Sequence, residues 1–186
     1  MGRNASGYER ELKELLQGDP DAVRRYGTTL DPVDRLALAR AGASPFLVVR
    51  AAGSFGFDLV ALRNEFAFPL EVKASAAETI HFTAASGRAA EQLESHRRAV
   101  ERVGLIVLYA YRRVGGHRGD RWRLYAAPTR AGGGRLGLLR KRLPVVDRTR
   151  QGNAVLRWAD GLPLVRFLEH VAALTEPGPA PDGPAP

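Results

Sequence analysis

Asp58-Leu59-Val60-Ala61-Leu62-Arg63-Asn64-Glu65-Phe66-Ala67-Phe68-Pro69-Leu70-Glu71-Val72-Lys73 is the stretch whose reading decides the fold. Two short apolar runs, residues 59–62 and 66–73, flank Arg63-Asn64-Glu65, which has the composition of a turn, so the segment predicts two adjoining strands. Side chains on a strand alternate between faces, so Glu71 and Lys73 share one face while Val72 takes the other. Charge is out of place there, because Phe66, Phe68 and Leu70 make the run before it apolar. Pro69 cannot donate to a ladder, which predicts a bulge or a strand lying partly at an edge.

If the two strands pair, Asp58, Glu71 and Lys73 converge. Two carboxylates suit magnesium or manganese, which keep several waters and take one or two carboxylates. Such an ion lowers the pKa of its water, and a nearby lysine can orient that water and offset charge in the transition state, so the chemistry implied is phosphodiester hydrolysis. The competing reading is an ordinary cross-strand ion pair between Lys73 and one carboxylate.

Working outward, Tyr8, Leu12, Leu15 and Leu16 share one helix face, and Gly18 ends that helix. Asp19-Pro20 and Asp31-Pro32 each place a capping residue before a proline at the first helical position, which predicts two short helices over residues 19–42. Residues 46–49 read as a strand. Ser86 can cap a helix running to about Val103, with Ala89, Leu93 and Val100 inward. Residues 105–108 read as a buried strand, with residues 122–127 as its partner. Residues 128–152, rich in Gly and Arg, read as irregular; residues 153–158 add a strand, and Pro163 opens a last helix to Leu174.

With 186 residues and 45% hydrophobic composition, the chain can bury about two-thirds of its unfolded surface in one core. The expected organisation is a single nuclease domain over residues 1–175 with a helical insertion at 18–45, followed by a disordered Pro-rich tail at 176–186. The absence of Cys excludes disulfides, cysteine-ligated metals and a thiol nucleophile, and the four His residues show no metal-ligand spacing. No apolar run reaches the length of a membrane span and no apolar signal segment opens the chain, so an intracellular protein with no membrane partner is expected. Charge is uneven: residues 1–111 carry fourteen basic and fourteen acidic groups, whereas residues 112–150 carry twelve basic against two acidic. That block suits a polyanion, although an Arg-rich solvated surface reads the same way.

The order carboxylate, turn, apolar strand, Glu-x-Lys resembles the signature of the PD-(D/E)xK nuclease superfamily. The likeness narrows with Glu9-Arg10-Glu11-Leu12, Arg50-Ala51-Ala52-Gly53-Ser54, Asp58-Leu59-Val60-Ala61 and Glu71-Val72-Lys73, which together resemble the archaeal-type Holliday junction resolvases. It implies an α/β fold with a central mixed β-sheet flanked by helices, of the restriction-endonuclease-like type. The activity implied is Mg2+-dependent resolution of four-way DNA junctions, with Mn2+ as a substitute, no organic cofactor, and a homodimer matching the two equivalent strands of a junction. By the same resemblance Asp58 and Glu71 are metal ligands, Lys73 is the catalytic lysine, Glu9 is a further acid at the metal, and Ser54 positions the scissile strand. Arg10 and Arg50 contact phosphate, and His81, Phe82, Arg112 and Arg113 complete the expected DNA-binding set. Glu9 has a second reading, since Ser6-x-x-Glu9 is a capping box. Residues 18–45 and the basic C-terminal part depart from the family pattern. They leave open another nuclease of the superfamily, or an inactive junction-binding protein.

Deleting residues 176–186 is expected to leave the melting temperature and the cleavage rate nearly unchanged. A thermal melt and a rate assay on the shortened chain check this, and a large drop in either contradicts a disordered tail.

Overall fold

The structure, a computed structural model, describes residues 5–51, 56–83, 88–116, 118–130 and 133–175. Three helices come first, α1 (Ala5–Leu16), α2 (Pro20–Gly27) and α3 (Pro32–Gly42). The strands β1 (Leu47–Arg50), β2 (Leu59–Arg63), β3 (Phe66–Ser75) and β4 (Thr79–Phe82) lead to α4 (Arg88–Glu101). Strands β5 (Leu108–Arg113) and β6 (Trp122–Ala126) precede α5 (Gly134–Arg142). The chain closes with β7 (Asp147–Arg148), β8 (Ala154–Arg157), β9 (Leu162–Pro163) and α6 (Leu164–Thr175).

The fold is mixed α/β. Its central sheet has six strands in the order β1-β2-β3-β5-β6-β9, and β3 and β5 form its parallel pair. A smaller antiparallel sheet, β4-β8-β7, lies outside it. Alternation along the strands builds two cores. Phe66, Phe68 and Leu70 of β3, Leu108 and Ala110 of β5, and Trp122 and Leu124 of β6 face the helices α1, α3, α5 and α6. Tyr109, Tyr111 and Tyr125 point to the opposite face, where Leu93 and Val100 of α4 and Leu156 of the small sheet cover them. No helix among the described residues is long and apolar enough to cross a membrane.

The caps form where the sequence puts them: the Asp19 carboxylate accepts from Ala22 N at 2.9 Å, and that of Asp31 from Val33 N and Asp34 N at 2.9 Å each. Gly18, at φ +64°, lets the α1–α2 turn press on the end of α3, where a Cβ would lie 2.3 Å from Gly42 O. Pro69 is explained by the sheet, since β5 pairs with β3 only from Leu70 onward. Beside Pro69 only β2 runs, in continuous register with Val60 opposite, so the partial-edge reading holds and no bulge interrupts this pair.

Several elements differ from expectation. Residues 128–152 are not irregular throughout: they hold α5, whose Leu139 is fully buried, with Leu136 and Leu143 packed in the same core. Leu136, Leu139 and Leu143 make a stripe at helical spacing that the surrounding glycines and arginines hide. The buried run at residues 105–108 is mostly an approach, and the strand itself starts at Leu108 where its partner's pairing begins. The α4 helix ends at Glu101, and its proposed cap Ser86 lies outside the described residues, as do His117 and residues 176–186.

A buried carboxylate ties the first helices to the sheet. Asp120 Oδ1 accepts from Tyr26 Oη at 2.6 Å and from Trp122 N at 2.9 Å, while Oδ2 accepts from Val165 N at 2.9 Å in the first turn of α6. Asp120→Ala would strand all three donors out of water, and a loss of about 3 kcal/mol or more is expected from denaturant melts.

Candidate active site

Asp58 enters the site from just before β2, pinned by its own backbone. Its carbonyl accepts from Ala51 N and its amide donates to Leu70 O, each at 3.0 Å. The Asp58 carboxylate then accepts from Val72 N at 2.7 Å through Oδ2, which takes over the ladder where β2 has not yet begun. A side chain thus stitches two strands at the point where the backbone cannot. Val72 packs with Phe66, Phe68 and Leu70 on the α1 side, so Glu71 and Lys73 emerge on the α4 side, as alternation requires.

Glu71 is 4% exposed. Its Oε1 accepts from Lys73 Nζ at 2.6 Å and from Gln92 Nε2 at 2.8 Å, and Gln92 Oε1 accepts from Lys73 Nζ at 3.0 Å. The other oxygen, Oε2, is buried and has no hydrogen-bond partner among the described residues. Burial pushes the Glu71 carboxyl up to about 7, with Lys73 pulling it down and the Asp58 charge pushing it further up. Burial also raises the Asp58 carboxyl, against the Val72 amide bond and with the charge of Glu9 adding to the rise.

The chemistry of this donor set fits a hard divalent cation. Magnesium takes one or two carboxylates and fills its remaining positions with water and phosphate oxygens. A buried carboxylate oxygen with no hydrogen-bond partner among the described residues, beside a second carboxylate, is what such an ion needs. Asp58 and Glu71 are the pair that would hold it. Among the described residues no group of three or more His, Cys, Asp or Glu side chains forms a metal cluster, so Glu9 is not drawn into one. Its carboxylate instead accepts from Arg50 Nη2 at 2.5 Å, with its charge felt at Asp58. Ser6 lies inside α1 rather than ahead of it, which removes the capping-box geometry.

Sequence reading missed Gln92 and His96, which α4 brings to the site. His96 is 2% exposed, its ring stacked on Phe57 at 4.2 Å. Its Nε2 lies 2.6 Å from Gly56 O and its Nδ1 lies 3.0 Å from Tyr109 Oη. A carbonyl only accepts, so Nε2 carries the proton and Nδ1 accepts from the tyrosine; burial lowers the His96 pKa in keeping with this neutral ring. Gln92 Nε2 also donates to Gly56 O at 3.3 Å. The signal was in the sequence: Ala89, Leu93 and Val100 define an inward stripe, and Gln92 and His96 interrupt it four residues apart.

The expected DNA-binding set divides. Arg10 and His81 are exposed, Arg50 is half-exposed and paired with Glu9, and Ser54 lies outside the described residues. Phe82 is a correction: it is 1% exposed and meets Tyr109 edge-to-face at 5.5 Å, because strand alternation turns it inward. Arg112 is another, at 6% exposed: it forks onto Glu11 at 2.9 and 3.3 Å and lies over the Tyr8 and Trp122 rings. Arg113 is mostly buried, paired with Glu78 and set over Trp158. The basic block is therefore not one face, since Arg123 also covers Trp158 and Arg135 pairs with Glu65.

No family model matches the chain, and no curated protein does either. Among solved structures the chain is similar to Archaeoglobus fulgidus Hjc, described as a Holliday junction resolvase from an archaeal hyperthermophile. The two are 19% identical over 73% of this chain and 92% of that one, with a TM-score of 0.43.

The buried Glu71 carries a pH consequence. Its carboxyl is raised in the folded state, so the metal-free protein loses stability as pH climbs from 4.5 through about 7. Glu71→Gln is expected to remove that decline, and Mg2+ to restore stability above about pH 7 in the unaltered chain alone, since the cation competes with the proton. Urea melts of both proteins with chelator and with Mg2+ check it; parallel pH curves for the two proteins contradict the assignment.

Proposed function

We propose that this chain is a metal-dependent, structure-selective endodeoxyribonuclease that resolves four-way DNA junctions. The observation that carries the hydrolytic part is Glu71 Oε2, buried beside a second carboxylate and a lysine with no hydrogen-bond partner among the described residues. A permanently charged pair buried only for stability would leave no oxygen unused, because an unpartnered buried carboxylate oxygen costs more than it returns. The junction as substrate rests on the sequence resemblance, which spans the Glu9, Arg50, Asp58 and Glu71 segments in register.

In this reading Asp58 and Glu71 hold Mg2+, which when bound acidifies water and neutralises charge on the phosphate. The residues of the chain do the rest. Lys73 Nζ, held by Glu71 Oε1 and Gln92 Oε1, keeps a third donor for an attacking water or a phosphate oxygen. Gln92 bonds both the lysine and the glutamate, which preorganises the pair for the substrate. Arg10 and Arg50 stand on the α1 side of the carboxylates as phosphate donors. A second copy related by a two-fold axis would place an equivalent site on the matching strand of the junction.

Asp58→Asn and Glu71→Gln are expected to abolish cleavage while leaving DNA binding in chelator largely intact, and Lys73→Met to slow cleavage by about 10²–10³-fold. The assay pairs a synthetic four-way junction with a linear duplex of the same arms in Mg2+. Equal cutting of both removes junction selectivity and leaves a general nuclease. Junction binding without any scission leaves a binding protein, and cutting by the Asp58 and Glu71 variants removes both residues from the site.

A further inference from the structure

Helix α4 presents two polar side chains to the site, Gln92 and His96, one turn apart, and both reach the same acceptor. Gly56 O accepts from His96 Nε2 at 2.6 Å and from Gln92 Nε2 at 3.3 Å. The backbone that turns this carbonyl toward α4 favours glycine: Gly56 sits at φ +74°, and a Cβ there would lie 3.5 Å from His96 Nε2. Asp58 follows two residues later, and between them the Phe57 ring stacks on the His96 ring at 4.2 Å. One histidine thus holds both residues that lead into the first carboxylate.

His96 is itself fixed. Tyr109 Oη donates to its Nδ1 at 3.0 Å, and Tyr109, fully buried, stands opposite Glu71 in the register of β3 and β5. A ring with both nitrogens engaged and one face stacked keeps one orientation and one tautomer. Gln92 is less firmly placed. Its Nε2 carries two hydrogens, one directed to Glu71 Oε1 at 2.8 Å and one to Gly56 O over the longer 3.3 Å, while its Oε1 accepts from Lys73 Nζ. The division depends on Gly56 O being already served by His96. Without that donor, the carbonyl competes for the Gln92 amide and draws it off Glu71.

We propose that His96 is a positioning residue for the metal site: its hold on Gly56 keeps α4 where Gln92 can bond Glu71 and Lys73, and so sets the affinity of the two carboxylates for a divalent cation. The inference rests on the nuclease reading and deepens it, since His96 bonds neither carboxylate and acts through Gly56 and Gln92. Groups one bond removed from the ligands commonly govern affinity in this way, by fixing ligand orientation.

Three variants separate positioning from stability. His96→Phe keeps the ring, its volume and its stack on Phe57 but removes both hydrogen bonds. It is expected to weaken Mn2+ binding about 10-fold and to raise the Mg2+ needed for half-maximal junction cleavage by a similar factor. His96→Gln returns an amide donor and an acceptor to the same place, and is expected to recover most of the affinity. Val100→Ala trims a buried side chain of the same helix, and is expected to lower the melting temperature while leaving Mn2+ binding unchanged. Calorimetric titration of Mn2+ into each DNA-free protein, above pH 7 so that Glu71 is ionised, reads affinity apart from cleavage, beside melts in chelator. Unchanged Mn2+ affinity in His96→Phe, equal losses in the Phe and Gln variants, or an equal loss in Val100→Ala overturns the positioning role and leaves the nuclease reading standing. Failure of the unaltered chain to bind Mn2+ overturns the nuclease reading, and the role of His96 with it.

Discussion

Glu71 is a carboxylate in a place that water does not serve. Burying an ionised acid costs several kcal/mol unless partners replace its hydration, and here the replacement is half complete. One oxygen takes both Lys73 and Gln92, while the other has no partner among the described residues. Most of the surrounding architecture follows from that imbalance: a lysine two residues on along the same strand, an α4 helix carrying a glutamine to the right height, and a second carboxylate from the adjoining strand. Removing any one of these would leave the acid either unsupported or satisfied. The three together hold Glu71 and Lys73 in one geometry.

The sheet explains why these groups can be held so firmly. The parallel pair β3 and β5 runs through the middle of the six strands, with cores on both faces. Val72 is anchored on one side as Glu71 and Lys73 project on the other. Asp58 extends the same logic, because its carboxylate substitutes for a ladder partner at the start of β2. Its position is set by the hydrogen-bonding pattern of the sheet rather than by a flexible loop. His96 and Gln92 both hold Gly56 O, so the backbone leading into Asp58 is fixed by the same helix that fixes Lys73.

Charge in this protein works differently from what its net value suggests. Twelve basic groups fall in residues 112–150, yet several are internal fasteners: Arg112 clamps α1 to the sheet through Glu11, and Arg113 and Arg123 cover Trp158. Guanidinium suits this work because its planar fork pairs with a carboxylate while its face rests on an aromatic ring. Local sums of charge therefore did not locate the surface that the fold presents.

Local chemistry in the sequence determined a good deal: the capped starts of α2 and α3, the paired strands around Asn64, and the shared face of Glu71 and Lys73. Each of these follows from spacing within a few residues, through capping geometry, turn preference or strand alternation. Tertiary structure alone decided the rest. Whether Phe82 meets solvent or Tyr109, whether Arg112 reaches outward or folds onto Glu11, and whether Gln92 touches a strand distant in sequence all depend on which elements pack together. Those contacts are long-range, and no local periodicity encodes the partner. The shared face of Glu71 and Lys73 was legible because a strand's alternation is local, whereas the helix that brings Gln92 to them was legible only once the fold had placed it.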